Sequence, residues 1–331
     1  MVGFLWRRFL WFLITAFVVI TVSFFLMRRV SGGPFSGERS LPPEIQALVE
    51  AKYHLDWPEW KQYLHYLGPF NMDERGLFGD DSEDGEATKI FGGVLTGDLG
   101  PSYKMRDFTV NDVIAQSLPI SFYLGCVALF WALTLGLTAG IISALRPRSK
   151  LDLGMRLIAT AGIALPNFVI ASFLIILFVF WIPIFPVAGW GSLKHMLLPG
   201  FALGAPRAAY IARLTRTGML EVLSHDYIRT AVAKGMPNRI VLLRHALKGG
   251  LLPVVSYLGP TIAWILTGSL VIERIFRIPG TGSHFVEAAQ NRDYTLAMGV
   301  TILLTILVYG MNTIVDLAYT FLDPRIDLEE S

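Results

Sequence analysis

The chain has 331 residues, of which 53% are hydrophobic and only 16% charged, with a formal net charge of +2. An ordinary soluble domain carries roughly 25% charged residues, so a single water-soluble core is excluded for want of polar surface to cover it. The absence of a basic tract argues against a nucleic-acid partner. One cysteine (Cys126) and six histidines without ligand spacing give no disulfide framework, metal site or cofactor.

The apolar residues are bunched. Arg7 and Arg8 precede the uncharged run Phe9–Met27, whose 19 residues exceed the roughly 7–15 of a signal-peptide core. Arg28 and Arg29 follow where a small-residue cleavage site would stand, so residues 1–28 read as an uncleaved first transmembrane helix. Residues 29–112 form a polar external loop or small subdomain, and Arg28–Asp112 holds 15 of the 26 acidic residues and nine basic ones. Its centre, Asn71–Lys89, rich in Asp, Glu and Gly, reads as a loop insertion. Pro43–Leu67 carries Leu48, Tyr53, Leu55, Trp60, Tyr63, Leu64 and Leu67 at helical spacing.

Residues 113–331 form the transmembrane core. Val113–Leu145 is uncharged and too long for one perpendicular helix, so its first residues are expected to approach along the membrane surface, with Pro119 at the entry and a span at 117–145. Leu157–Leu193 divides into a span at 157–182 and a turn made by Pro183, Pro186, Gly189 and Gly191, with Trp181 and Trp190 suited to the interface. A fourth helix at 194–221 is hidden from hydropathy by Arg207 and the arginines after it, which must snorkel or face protein. Spans at 251–272, kinked at Pro260, and at 295–320 complete the set. Gly136-x-x-x-Gly140 and Gly200-x-x-x-Gly204 read as close helix packing, Cys126 as a packing residue, and Asp316 as a pair or cap near the end of the sixth span. The expectation is an all-α polytopic transmembrane helix bundle of about six spans, with a polar external insertion between spans 1 and 2. The alternating segments of about 10 residues that make a membrane barrel are missing.

Lys and Arg in short loops set topology. Arg146, Arg148, Lys150 and Arg156 mark segment 146–156 as cytoplasmic, and Arg213, Arg216, Arg229, Lys234, Arg239, Arg244 and Lys248 mark 213–248 likewise. Both termini are then cytoplasmic, and Glu273–Tyr294 is a further external loop. Arg28 and Arg29 fall outside, which a long translocated loop tolerates.

The most informative stretch is the cytoplasmic loop 222–250. Leu220, Leu223, Tyr227 and Ala231 fall on one helical face, with Ser224 or Asp226 as N-cap and Gly235 then Pro237 as a stop. A second helix carries Ile240, Leu243 and Leu247 on one stripe and Arg244 and Lys248 on another, and Gly249-Gly250 ends it. The small residues Ala231, Ala233 and Gly235 at the corner leave room for another protein.

Here the chain resembles the permease subunits of ABC-type importers, in the oligopeptide/dipeptide (and nickel or glutathione) branch. Tyr227–Gly235, Arg244–Leu247 and Leu251–Pro253 resemble its "EAA" loop, although Arg229 stands where the general motif has Glu. Gly97-Asp98-Leu99-Gly100 resembles the element before the second span. Glu273, Phe276, Pro279-Gly280, Gly282, Asp293-Tyr294, Asp316 and Asp323-Pro324-Arg325 resemble the C-terminal signature. The resemblance implies a non-enzymatic subunit of a prokaryotic plasma (inner) membrane, surrounded by lipid and forming the path for peptides or similar small solutes. It implies three protein partners: cytoplasmic ABC ATPase subunits, a second homologous permease and an external solute-binding protein. It also implies that Asp226, Tyr227, Arg229, Thr230, Ala231, Ala233, Lys234 and Gly235 form a coupling helix against the ATPase.

Two other classes compete. A secondary transporter or channel working without an ATPase predicts inverted repeats and ionisable residues in several spans; beyond Asp316 and Arg207 neither is visible. An intramembrane enzyme finds only the adjacent Ser283-His284, which lacks nucleophile–base geometry. The chain has no G-x-x-x-x-G-K-[ST] phosphate loop, so ATP-driven import requires hydrolysis on another subunit.

Overall fold

The computed structural model describes residues 2–29, 53–68, 93–105, 108–266 and 268–322. The insertion at 71–89 and Asp323-Pro324-Arg325 lie outside the described residues, as does the part of 43–67 before Tyr53. The elements are α1 (Val2–Arg29), α2 (Glu59–Leu67), α3 (Val110–Leu145), α4 (Lys150–Ala164), α5 (Asn167–Ile175, continued by a π-helical turn, Ile176–Trp181) and α6 (Leu193–Leu223). Next come α7 (Asp226–Ala233), α8 (Asn238–Ile240, a π-helical turn Val241–Ala246, then Leu247–Gly250), α9 (Leu252–Leu266), α10 (Leu270–Ile275), α11 (Thr281–Asn291) and α12 (Tyr294–Leu322). Among the described residues there is no strand beyond the isolated bridge Pro101–Thr109. The chain is all-α, as expected for a membrane bundle.

Among the described residues four helices are long and apolar enough to cross a bilayer, Gly3–Arg29, Val110–Leu145, Leu252–Ile275 and Tyr294–Ile314, the third of these joining α9 to α10. The pair α4 and α5 makes a fifth candidate, bent by 108°. The 31-residue α6 is the sixth helix of spanning length, too rich in arginine to pass on hydropathy.

The chain divides into two compact units, the first comprising Met1–Leu118 with His284–Ile306, the second Pro119–Ser283 with Leu307–Ser331. A boundary after residue 112 was the expectation. The structure instead groups Val113 and Ile114 with Leu296, Ala297 and Val300 in one buried cluster of the first unit.

In the first unit, Phe24 of α1 is buried with Ile20, Tyr66, Met298 and Ile302. Its ring meets Tyr63 of α2 edge-on at 5.3 Å between centroids. The Gly97–Gly100 loop is held by Asn111 of α3, which accepts from Leu99 N (2.8 Å) and donates to the Gly97 carbonyl (2.7 Å). Thr109 and Asp112 form a reciprocal capping box, Thr109 N donating to the Asp112 carboxylate at 3.0 Å and Asp112 N to Thr109 Oγ1 at 3.1 Å. This box starts the helix that carries the second span. The helix is already established at Val110 and runs on through Pro119.

In the second unit, α6 is the central helix. A Cβ on Gly200 would collide with Val127, on Gly136 with Ile211 and on Gly140 with Thr215, so α3 and α6 run in the same direction with backbones in close approach. Both small-residue repeats seen in the sequence therefore serve one helix pair. On other sides α6 meets α4, where Gly162 faces Ala209, and the junction of α8 with α9, where Gly218 faces Gly250 and Pro253, α4 and α9 both running against it.

The expected span 157–182 is bent rather than continuous. The helix stops at Leu165, in extended conformation (φ −85°, ψ 127°), before Pro166 starts the next helix. A residue before proline is sterically excluded from the α region, and the absence of charge masked that break. Likewise 251–272 is interrupted at Gly268, left-handed at φ +95°, before Ser269 caps the next helix.

Candidate functional site

The elbow between α6 and α9 begins where α6 ends at Leu223. Ser224 turns its hydroxyl back to the Glu221 carbonyl (2.7 Å), so it does not cap the next helix. The N-cap position belongs to His225, which makes no side-chain cap, and Asp226 is the first helical residue. Both expected caps are thus corrected, although Asp226 still places negative charge at the positive end of α7.

The end of α7 is a full Schellman closure. Gly235 N donates to the Val232 carbonyl (2.9 Å) and Met236 N to the Ala231 carbonyl (3.3 Å), with Gly235 left-handed at φ +76°. Pro237 then prevents continuation and opens α8. The Gly-Met-Pro corner is the stop read from the sequence.

Burial divides the elbow's residues into two sets. Ile228 and Ala231 are buried with Met219 and Val222 of α6, Val241 and Ala246 of α8, and Ala144 at the end of α3. Full burial of one isoleucine contributes about 2 kcal/mol, so Ile228 anchors α7 to three helix ends at once. Asp226, Tyr227, Arg229, Thr230, Ala233, Lys234 and Gly235 are exposed. Arg229 and Asp226 pair only loosely at 3.4 Å, their side chains 75% and 94% accessible.

Ala231, expected at a partner surface, is therefore corrected: its small side chain fits the protein's own core. Tyr227 does not share its face, because the break at Ser224–His225 changes the helical phase assumed for Leu220, Leu223, Tyr227 and Ala231. In α8 the π-helical turn does the same, burying Val241 and Ala246 and leaving Ile240 and Leu243 exposed.

Beneath the elbow, Asp152 in the first turn of α4 is fully inaccessible. Arg216 of α6 donates to it twice, Nε to Oδ1 at 2.7 Å and Nη2 to Oδ2 at 3.0 Å, and Ser143 and the Arg148 amide also donate. The Arg216 guanidinium and the Ser143 hydroxyl hold this carboxyl well below the usual carboxylate range. Sequence reading treated 146–156 only as a topology signal. Asp152 two residues after Lys150, behind an N-capping Ser149, was the available clue.

The C-terminal signature residues also have visible work. Glu273 is fully buried and accepts from Ser121 Oγ (2.9 Å), Ser269 N (3.1 Å) and Ser283 N (3.0 Å). Gly280 and Gly282 leave it room, since a Cβ on either would collide with its carboxylate. Phe276 is buried and its carbonyl accepts from Gly189 N at 2.9 Å. Asp293 caps α12 by accepting from Leu296 N (3.2 Å), and also accepts from Ser102 Oγ and from Tyr103 N (3.2 Å). Cys126, expected in packing, is on an exposed face of α3. Arg207 is half-buried, with Nη1 3.4 Å from the Tyr257 hydroxyl.

Comparison with known proteins agrees with this architecture. Residues 136–328 match the family described as binding-protein-dependent transport system inner membrane component. The chain is 45% identical over 328 residues to the oligopeptide transport system permease protein OppB of Escherichia coli (strain K12), covering 98% of this chain and 99% of that one. It is 42% identical over 324 residues to the dipeptide transport system permease protein DppB of Bacillus subtilis (strain 168), covering 98% and 97%. A solved structure of the MetNI methionine ABC transporter in inward-facing conformations shares the fold, with TM-score 0.55 at 18% identity, over 64% of this chain and 96% of that one. With the family region covering the core helices and the elbow, and near full-length relatives at this identity, the chain belongs to the binding-protein-dependent transport system inner membrane component family.

Proposed function

We propose that this chain is the permease subunit of an ATP-driven peptide importer in a bacterial inner membrane, receiving force from a separate ATPase through the exposed face of α7. The observation that carries this reading is the elbow's two-sided construction. Ile228 and Ala231 tie it into the ends of α3, α6 and α8, while Asp226, Tyr227, Arg229, Thr230, Ala233, Lys234 and Gly235 point away. A push on that face moves three helix ends together. Rigid-body rocking of such a bundle alternates access to a midplane path.

Under this reading 146–156 and the elbow are cytoplasmic, as are both termini. The partners are ATPase subunits at α7, a second homologous permease and an external solute-binding protein. Peptides are the substrate class because the relatives at 45% and 42% identity are oligopeptide and dipeptide permeases.

The test is site-directed crosslinking in a Cys126→Ala background, with the co-expressed ATPase. Cysteine at Arg229 or Ala233 is expected to crosslink to the ATPase, and cysteine at the buried Ala231 is not. Absence of crosslinks from every exposed α7 position would defeat the coupling assignment. Ion-driven uptake by proteoliposomes holding this chain alone would instead establish the secondary-transporter reading.

A further inference from the structure

Each of α1, α3, α4, α5, α9 and α12 presents large apolar side chains outward, as a lipid-facing helix must. The exception is α6. After Leu193 at its start, none of its large hydrophobic side chains is exposed. Past Lys194, its exposed residues are Arg213, Thr217 and Glu221, spaced i, i+4 and i+8 on one face. Arg213 is ten residues before Leu223, roughly 15 Å from the helix end at 1.5 Å per residue. A hydrocarbon core of roughly 30 Å centred on this helix of 31 residues leaves about 8 Å beyond it at each end, so Arg213 falls within the core and the cytoplasmic segment begins after it rather than at it.

A polar stripe at this depth cannot face acyl chains. It continues inward as a chain of contacts. The Arg213 guanidinium lies 4.8 Å from the Tyr210 ring centroid, Tyr210 packs on Tyr257 at 4.4 Å, and the Tyr257 hydroxyl meets Arg207. Arg207 is near the middle of α6. A cavity of about 290 Å³ opens beside the stripe, walled in part by Arg213 and Thr217 of α6 and Arg156 and Thr160 of α4. The two deeper arginines differ from Arg216, which Asp152 neutralises. Among the described residues Arg213 has no carboxylate partner.

We propose that the α6 face bearing Tyr210, Arg213, Thr217 and Glu221 lines the aqueous exit half of the translocation path, and that Arg213 is the cation that meets the carboxylate of a passing peptide. The assignment rests on the importer reading above and adds to it the binding face and the chemical group bound. An unneutralised cation offers a carboxylate a charge-assisted contact. Its exposure keeps that contact hydrated and weak enough to release.

The experiment uses the full complex, with ATPase, second permease and binding protein, reconstituted in liposomes and given trialanine. Arg213→Gln is expected to slow ATP-driven uptake about tenfold, the effect of losing one charge-assisted contact, with complex assembly unchanged, and Arg213→Lys to restore most of the rate. Uptake by Arg213→Gln at the unaltered rate, or equal failure of Gln and Lys variants, overturns the carboxylate role. Independently, Thr217→Cys in the Cys126→Ala background is expected to react with a water-soluble maleimide in the assembled complex, whereas Ile211→Cys on the buried face is not. Lack of labelling at 217 both with and without ATP overturns the path assignment. Failure of the unaltered complex to take up trialanine with ATP would count against the importer reading itself, which separates the two.

Discussion

Asp152 at the start of α4 and Arg216 near the end of α6 form a two-point ion pair, 2.7 and 3.0 Å, with the carboxylate fully inaccessible. These helices run against each other, so the pair pins the base of α4 to the helix that leads into the elbow.

Replacing Asp152 by Ala leaves the Arg216 guanidinium, the Ser143 hydroxyl and the Arg148 amide without their acceptor. The melting temperature of the purified protein is expected to fall further than in Arg146→Gln, an exposed control. The pH dependence has a defined sign. The folded carboxyl titrates below its unfolded value of roughly 4, so its contribution is complete above that value and is lost as pH falls through the depressed folded one. Melts from pH 8 to pH 5 should show no loss attributable to Asp152, and Asp152→Asn should remove part of the loss seen on stronger acidification.

Gly140→Leu puts a Cβ 2.5 Å from Thr215 Cβ and 2.7 Å from the Ala212 carbonyl, forcing α3 away from α6. Overpacking of this kind costs about 1–3 kcal/mol. Gly154→Leu meets nothing within 4 Å and should be neutral. Thermal stability in detergent compares the two, and equal tolerance would contradict the close approach of these helices.

Gly235 has open space around it but a left-handed backbone at φ +76°. Gly235→Val should therefore cost about 1–2 kcal/mol through backbone strain alone, with Gly235→Asn milder. Under the coupling assignment, both variants insert normally, and the ratio of peptide transported to ATP hydrolysed falls in the order Gly, Asn, Val.

Asp293→Ala removes the cap of α12 together with the acceptor for Ser102 and the Tyr103 amide. Loss of a cap alone costs about 1–2 kcal/mol. Asp293→Asn retains a cap-competent oxygen and should recover a measurable part of the lost stability in the same thermal assay.

The position of the spans was legible because hydropathy sums over twenty residues, and the same summation hid the breaks at Leu165-Pro166 and Gly268. The elbow was legible too, since Gly235 and Pro237 are punctuation with a single structural meaning. What escaped was helical phase. The stop at Ser224 and the π-helical turn Val241–Ala246 each rotate the residues that follow, so Tyr227, Ala231, Ile240 and Leu243 ended on faces that a 3.6-residue count did not give them. Asp152 escaped for another reason. Its partner is 64 residues away, and no local pattern encodes a contact made by tertiary packing.

The gap at Leu165-Pro166 has a consequence for what this chain needs around it. Both residues are accessible in the isolated subunit, some fifteen residues beyond the start of α4, at a level where acyl chains offer no hydrogen bonds. Non-helical backbone survives at that level only against protein or trapped water. Leu165 N donates to the Ala161 carbonyl and the Pro166 carbonyl accepts from Val169 N and Ile170 N, so the bend closes much of its own backbone, and under the importer reading the neighbouring permease has only to cover it.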